Sequence, residues 1–428
     1  MTGHPASRKT DTPRARRERR RTLRADRYAA RSVLWRESAL PRVRACGLNA
    51  QGSQHDPMSG KQVSRDPHIS IRVTPTPEGN RAGFSGVQSC GSTWACPVCS
   101  EKIQSARTDE VTRALAEAHR RGWVAAFVTL TVRHSRKHSL SEVWAAVSAG
   151  WRAATSGSRS AWEADRFAYG IRGYIRLTEV THGDANGWHV HVHALMLLDP
   201  AAARVADLSD DGRLHLRDVQ ELGESMLGRW SAAVKRHGSG FVPSRRHGLD
   251  VRLVTDDAAD LAAYFAKNVY SVKSTASAAA DVTSSHSKTA RHGNVTPFGI
   301  LDRIVNAPEV LNESTGELVR RPASRDLALW HEWERASKGK RQLLWSNGLR
   351  ADLGIGAEVD DQAVVDDAAL EGTERVRMHP RAYRRLAFRG LLPAVLDAAE
   401  AQDDGHRLAL LLHEHGIPWE LPPLPVAA

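Results

Sequence analysis

The chain has 428 residues, 41% hydrophobic and 25% charged, with a formal net charge of +11. That length suits two or three ordinary domains, and no run approaches the roughly 18 to 20 apolar residues of a membrane-spanning helix. The basic start lacks the apolar core of a secretory signal, leaving an organelle-targeting peptide as the lesser alternative to a cytoplasmic protein with no membrane partner. Four cysteines are too few for a disulfide scaffold of this size, so they read as reduced thiols, grouped on a metal.

Residues 1–31 hold eleven Lys or Arg against three acids, a net +8 that leaves only +3 for the remaining 397 residues. With Arg16, Arg17, Arg19, Arg20 and Arg21 at its centre, this segment is expected to be a disordered arm that neutralises DNA phosphates. The bland alternative is a solubility tail. Residues 32–100, rich in Gly, Pro and Ser with a strand-like piece over His68–Val73, suggest a small irregular module organised by its cysteines rather than by a packed sheet.

From Glu101 the spacing of Ile103, Val111, Leu115 and Ala118 predicts a helix ended by Gly122. Trp123–Val132 is a buried-strand run, and Ser139 with Glu142 forms a capping box for a helix over Leu140–Ala154. Gly173–Thr181 and Trp188–Leu198 are separated by turn residues and predict an antiparallel hairpin. A helix over Leu216–Lys235, a strand over Leu249–Val254 and a helix from Asp257 to Val272 capped by Asp256 follow. Residues 274–295 read as a linker, helices resume from Arg325, 355–373 is an acidic bridge, and a helical piece covers Pro380–His415. The order β-α-β-β-α-β-α predicts an α+β, two-layer domain: an antiparallel sheet with helices on one face.

His189, His191 and His193 alternate with Val190 and Val192, so a strand sends the imidazoles to one face and the valines to the other. A row of imidazoles on an otherwise apolar strand is what a divalent metal site requires; the bland alternative is chance histidine on a solvated face. Asp260, Tyr264 and Lys267, at i, i+4 and i+7, share one helical stripe. A tyrosine hydroxyl becomes a competent nucleophile when a cation or metal favours its phenolate. Lys267 would supply positive charge, a metal would polarise the phosphate, and Asp260 would act as base for a water. Tyr270, on another helix face, reads as packing.

Together these residues resemble the HUH-type (His-hydrophobic-His) rolling-circle replication initiators of Gram-positive and actinobacterial plasmids, over roughly residues 42–300. FVTLT at Phe127–Thr131 looks like the family's first motif, HVHALMLL at His191–Leu198 its metal motif, and DLAAYFAKN at Asp260–Asn268 its nucleophile motif. The resemblance implies that Tyr264 is the nucleophile, that His191 and His193 hold Mg2+ or Mn2+, and that Asp260 stands where the family usually has Glu. Glu179, in RLTEVT, matches a recurring acid and is the preferred further ligand; its alternative is a surface carboxylate paired with Arg172 or Arg176. His189 is a third ligand or a supporting group.

Cys90-x5-Cys96-Pro-Val-Cys99, with Cys46, supplies the four thiolates of a closed structural zinc (Zn2+) site, and the resemblance supports the same array. The expected activity is nicking of single-stranded origin DNA, leaving a 5′-phosphotyrosyl link and a 3′-hydroxyl. Host helicase and DNA polymerase are partners implied by the resemblance. The expected domains are a basic arm (1–31), a zinc module (32–100), a nicking domain (101–273), a linker (274–324) and a helical C-terminal region (325–428). Its Trp330–Arg350 stretch is either a DNA-facing helix or a Trp-anchored core. The rivals are a transposase of the same superfamily, a conjugative relaxase, and a non-catalytic zinc-containing DNA-binding protein.

Overall fold

Alternation along the strand segments within residues 124–131, 171–183 and 187–198 sorts side chains onto two faces. The computed structural model describes residues 12–51, 54–55, 62–63, 68–77, 79–156, 159–207, 213–254, 294–311 and 318–422. Along the chain its strands are β1 (Gln54–His55), β2 (Gln62–Val63), β3 (Ile69–Thr74), β4 (Arg81–Ser85), β5 (Val124–Thr131), β6 (Ile171–Gly183), β7 (Gly187–Leu198), β8 (Leu249–Val254), β9 (Glu309–Leu311), β10 (Leu318–Arg320), β11 (Leu343–Trp345) and β12 (Thr373–Met378). The largest sheet is antiparallel with order β11-β6-β7-β5-β8.

One face of that sheet carries Ala126, Val128 and Leu130 of β5 and Val190, Val192, Ala194 and Met196 of β7, all buried. Helices Leu140–Ser156 and Leu216–Lys235 cover it. The first starts at the expected capping box: the Ser139 backbone N–H donates to Glu142 Oε2 at 2.7 Å, and the Glu142 N–H donates to Ser139 Oγ at 3.3 Å. The two helices approach closely at Gly150, where a Cβ would stand 2.8 Å from the Trp230 ring.

The opposite face is divided along its length. At one end Ala125, Phe127, Ile175, Leu177, Leu195 and Leu197 pack against Val111, Leu115 and Ala118 of helix Pro97–Arg120 and against Leu343, Trp345 and Leu349. At the hairpin end the same face continues as Thr129, Glu179, His189, His191 and His193. Helices therefore flank both faces, which corrects the two-layer expectation. Strands apolar on both sides at one end, as WVAAFV is, need cover on both sides.

Several segments expected to stand apart are joined to the rest of the fold, while residues 1–11 of the expected arm lie outside the described residues. Residues 12–31 are not a disordered arm: helix Pro13–Glu37 starts at a Thr12 cap and buries Leu34. Its Arg24 bridges Asp397 and Glu400, so part of the basic run is spent on internal ion pairs. Residues 32–100 do not form a module of their own, because β3 pairs with β4 on one side and with β12 on the other. Ile69, Ile71 and Val73 have too little apolar area to bury alone. They share a core with Val376, Met378, Tyr383, Leu386 and Val395.

The C-terminal region is likewise not a separate helical body, since it supplies β11 and β12. Trp330 and Trp333, of helix Ser324–Ser337, are buried in the sheet's own core, so that stretch is core. Within the expected linker, helix Pro297–Val305 buries Phe298, Ile300 and Leu301. The acidic bridge contains helix Asp361–Ala368, with Val365 buried. The helix expected over 257–272 and the linker over 274–293 lie outside the described residues. Among the described residues no helix is long and apolar enough to cross a membrane.

Candidate active site and metal centres

Adjacent strands bring the first constellation together. In the β6–β7 register Glu179 stands opposite His191 and Leu177 opposite His193. Glu179 Oε2 lies 3.0 Å from His191 Nε2 and 3.0 Å from His193 Nε2. These three ligand atoms form one of two metal-competent groups among the described residues. Neighbouring ligands about 2.1 Å from an octahedral ion stand roughly 3.0 Å apart, so the spacing fits a divalent metal with positions left for substrate oxygens. Burial opposes the Glu179 charge, but His191 and His193 outweigh it and hold its carboxyl well below the usual range.

The flanking residues set ring orientation. Thr129, opposite His193 on β5, places Oγ1 2.9 Å from His193 Nδ1, leaving Nε2 directed at Glu179. A ligating imidazole is usually fixed in this way through its second nitrogen. His189 lies outside the three-ligand group: its ring stacks on His134 at 4.7 Å between centroids and stands 4.7 Å from His191. Burial, then His191 and His134, push its pKa down to about 3, so it is neutral at physiological pH. Neither alternative partner claims Glu179: Arg172 pairs with Asp199 at 2.5 Å, and the Arg176 guanidinium lies over the Trp151 ring.

The second group is closed. Cys46, Cys90, Cys96 and Cys99 are all buried, unoxidised, and have their sulfurs within 4.8 Å of one another. Cys46 Sγ is 3.7 Å from Cys96 Sγ and 3.6 Å from Cys99 Sγ, and Cys90 Sγ is 3.7 Å from Cys99 Sγ. Four sulfurs about 2.3 Å from a tetrahedral ion would stand roughly 3.8 Å apart, so the donor set and spacing fit zinc. Pro97 opens the helix that carries Cys99, immediately after its cap residue Cys96. Cys46 closes the group from the loop after helix Pro41–Ala45.

Asp260, Tyr264 and Lys267, with Tyr270, lie outside the described residues. Arg16, Arg17, Arg19 and Arg21 are exposed on helix Pro13–Glu37, and Arg20 stands 4.0 Å from Glu400. Sequence reasoning quoted FVTLT without giving Thr129 a role. The signal was available, because alternation from buried Val128 and Leu130 puts Thr129 on the histidine face. His134 was missed for lack of any periodic pattern in its loop.

Comparison with known proteins agrees with the motifs. The chain matches the Replication protein family model over residues 84–203, which span Cys90, Cys96, Cys99, Glu179, His191 and His193. It is similar to Protein rep of Streptomyces lividans, 33% identical over 344 residues, covering 72% of this chain and 74% of that protein. It is also similar to the Neomycin resistance protein of Streptomyces cyanogenus, 31% identical over 155 residues, 31% of this chain and 35% of that protein. No solved structure matches. Likeness to the first of these relatives across three quarters of its length, with the family match over the segment bearing the cysteines and histidines, shows that the chain belongs to the replication protein family, as a plasmid replication protein of actinobacterial type.

Proposed function

We propose that this replication protein is an HUH-type initiator of rolling-circle replication that nicks one strand of its plasmid origin. Its chemistry takes place at the Glu179–His191–His193 face. The observation that carries the reading is the single carboxylate oxygen 3.0 Å from both Nε2 atoms across the β6–β7 strand pair. An Mg2+ or Mn2+ ion held there would polarise the scissile phosphate and stabilise charge building on its oxygens.

The Tyr264 hydroxyl gives up its proton as Oη attacks the phosphorus, the bond to the 3′ oxygen breaks, and that leaving oxygen takes up a proton. The protein then carries a 5′-phosphotyrosyl link and the departing strand ends in a 3′-hydroxyl. Lys267, three residues on, would neutralise the phenolate or the phosphate, and Asp260 would take a proton from water at termination. Both ends of the segment that holds these residues are tied to the sheet: Val254 pairs with Ala125, and Val295 bridges to His182. The four cysteines would hold a structural zinc, and the exposed arginines of helix Pro13–Glu37 would contact origin phosphates. Host polymerase would extend the 3′-hydroxyl while a host helicase unwinds ahead.

The test is incubation of the full chain with a supercoiled plasmid carrying its own origin and Mg2+ or Mn2+. The expected product is nicked DNA covalently bound to protein, absent with Tyr264→Phe. An adduct that persists in Tyr264→Phe would move the nucleophile elsewhere, Tyr270 first.

A further inference from the structure

Arg31 is 4% exposed, yet among the described residues no carboxylate pairs with it. Its Nε and Nη2 atoms are buried without a hydrogen-bond partner. The guanidinium lies over the Tyr28 ring at 4.4 Å and near the Trp35 ring at 5.8 Å. It also packs on Gly47, where a Cβ would meet the guanidinium, and the Gly47 φ of +70° itself favours glycine there. Burial opposes the Arg31 charge, and the neighbours that most favour it are Tyr383, Tyr28, Cys46 and Cys96. A buried guanidinium set against phenols, an indole and thiols, with no carboxylate paired to it among the described residues, is costly unless some of those groups are ionised.

Four thiolates on a divalent ion leave a net negative charge, which a buried site must also balance. We propose that Arg31 is the counter-ion of a zinc–tetracysteine centre, so that metal binding and docking of the N-terminal helix stabilise each other. The inference rests on the zinc reading of the cysteines. Two further contacts tie the same loop down: Trp35 Nε1 donates to the Cys46 carbonyl at 2.9 Å, and the Tyr383 hydroxyl donates to the Gly47 carbonyl at 3.0 Å. With the metal bound, Arg31 helps retain it; without the metal, Arg31 is an unbalanced buried charge that favours release of the helix.

That double role predicts a change of sign. In zinc-loaded full-length protein, Arg31→Met should lower Tm and speed zinc release to a chromophoric chelator by about tenfold. Arg31→Lys, which keeps the charge, should recover most of both. In zinc-stripped protein Arg31→Met should leave Tm unchanged or raise it, because it removes a charge that nothing balances. Equal Tm losses with and without zinc would make Arg31 a packing residue and overturn the proposal. A second way to overturn it concerns the cavity of about 950 Å3 that Arg31 lines with Arg20, Arg24 and Lys102. If inorganic phosphate raised the Tm of the native chain but not of Arg31→Met, whether or not zinc was present, the counter-ion would be an anion from solution. Native protein purified without any metal would overturn the zinc reading and this one together. Zinc-loaded native protein beside an unaltered Arg31→Met would overturn this one alone.

Discussion

The two metal-competent groups are built on opposite plans. The cysteine group is buried at all four residues and gathers them from three separate stretches: the end of helix Pro41–Ala45, the segment at Cys90, and the Cys96–Cys99 helix start. The histidine group uses two adjacent strands of one hairpin, offers three ligands, and is only half-buried. Four closed ligands suit a structural ion, whereas three ligands with open positions suit one that must also meet a substrate. The supporting contacts differ as well. A threonine hydroxyl orients His193, while a buried arginine stands beside the cysteines.

The sharpest way to break this contrast is to remove one ligand from each group. Cys96→Ser should lose zinc and destabilise the fold by ~4 kcal/mol or more, as read by elemental analysis and thermal unfolding. An unchanged Tm would mean that the cysteine group bears no structural load. His191→Ala should leave Tm nearly unchanged while nicking of the origin plasmid falls by roughly 10²–10³-fold and loses its Mg2+ or Mn2+ response. A matching collapse of stability would make the two groups alike after all.

Smaller effects sharpen the comparison. Asp260→Ala should still nick and form the adduct, with slower termination measured as persistent protein–DNA product; loss of the first cleavage would reject its role as a base for water. Thr129→Val is nearly isosteric and removes only the partner of His193 Nδ1. It should weaken metal affinity about tenfold in a Mn2+ titration, with Thr129→Ser restoring it, and an unaltered affinity would make that hydrogen bond incidental. The smallest change is expected from Arg16→Gln with Arg17→Gln. It should lower DNA affinity slightly and reduce the slope of log K against log salt by about 2.

Much of the sheet was legible because its period is local. Strands β5 to β8, their hairpin and the helix over Leu216–Lys235 follow from alternation, turn residues and a 3.6-residue stripe. The same alternation put His189, His191 and His193 on one face, and residue spacing grouped Cys90, Cys96 and Cys99. What the tertiary structure decided depends on partners far along the chain. Whether Arg24 is solvated or paired depends on Asp397 and Glu400. The edge of the sheet is completed by β11, and His68–Val73 becomes a strand only against β4 and β12. The placement of Glu179 and His189 about the imidazole pair also depends on three dimensions. All of them share a face, but cross-strand register sets Glu179 beside two imidazoles, while His189 stacks on a loop histidine no pattern foretold. Periodicity specifies which way a side chain points; only the packed fold specifies what it meets there.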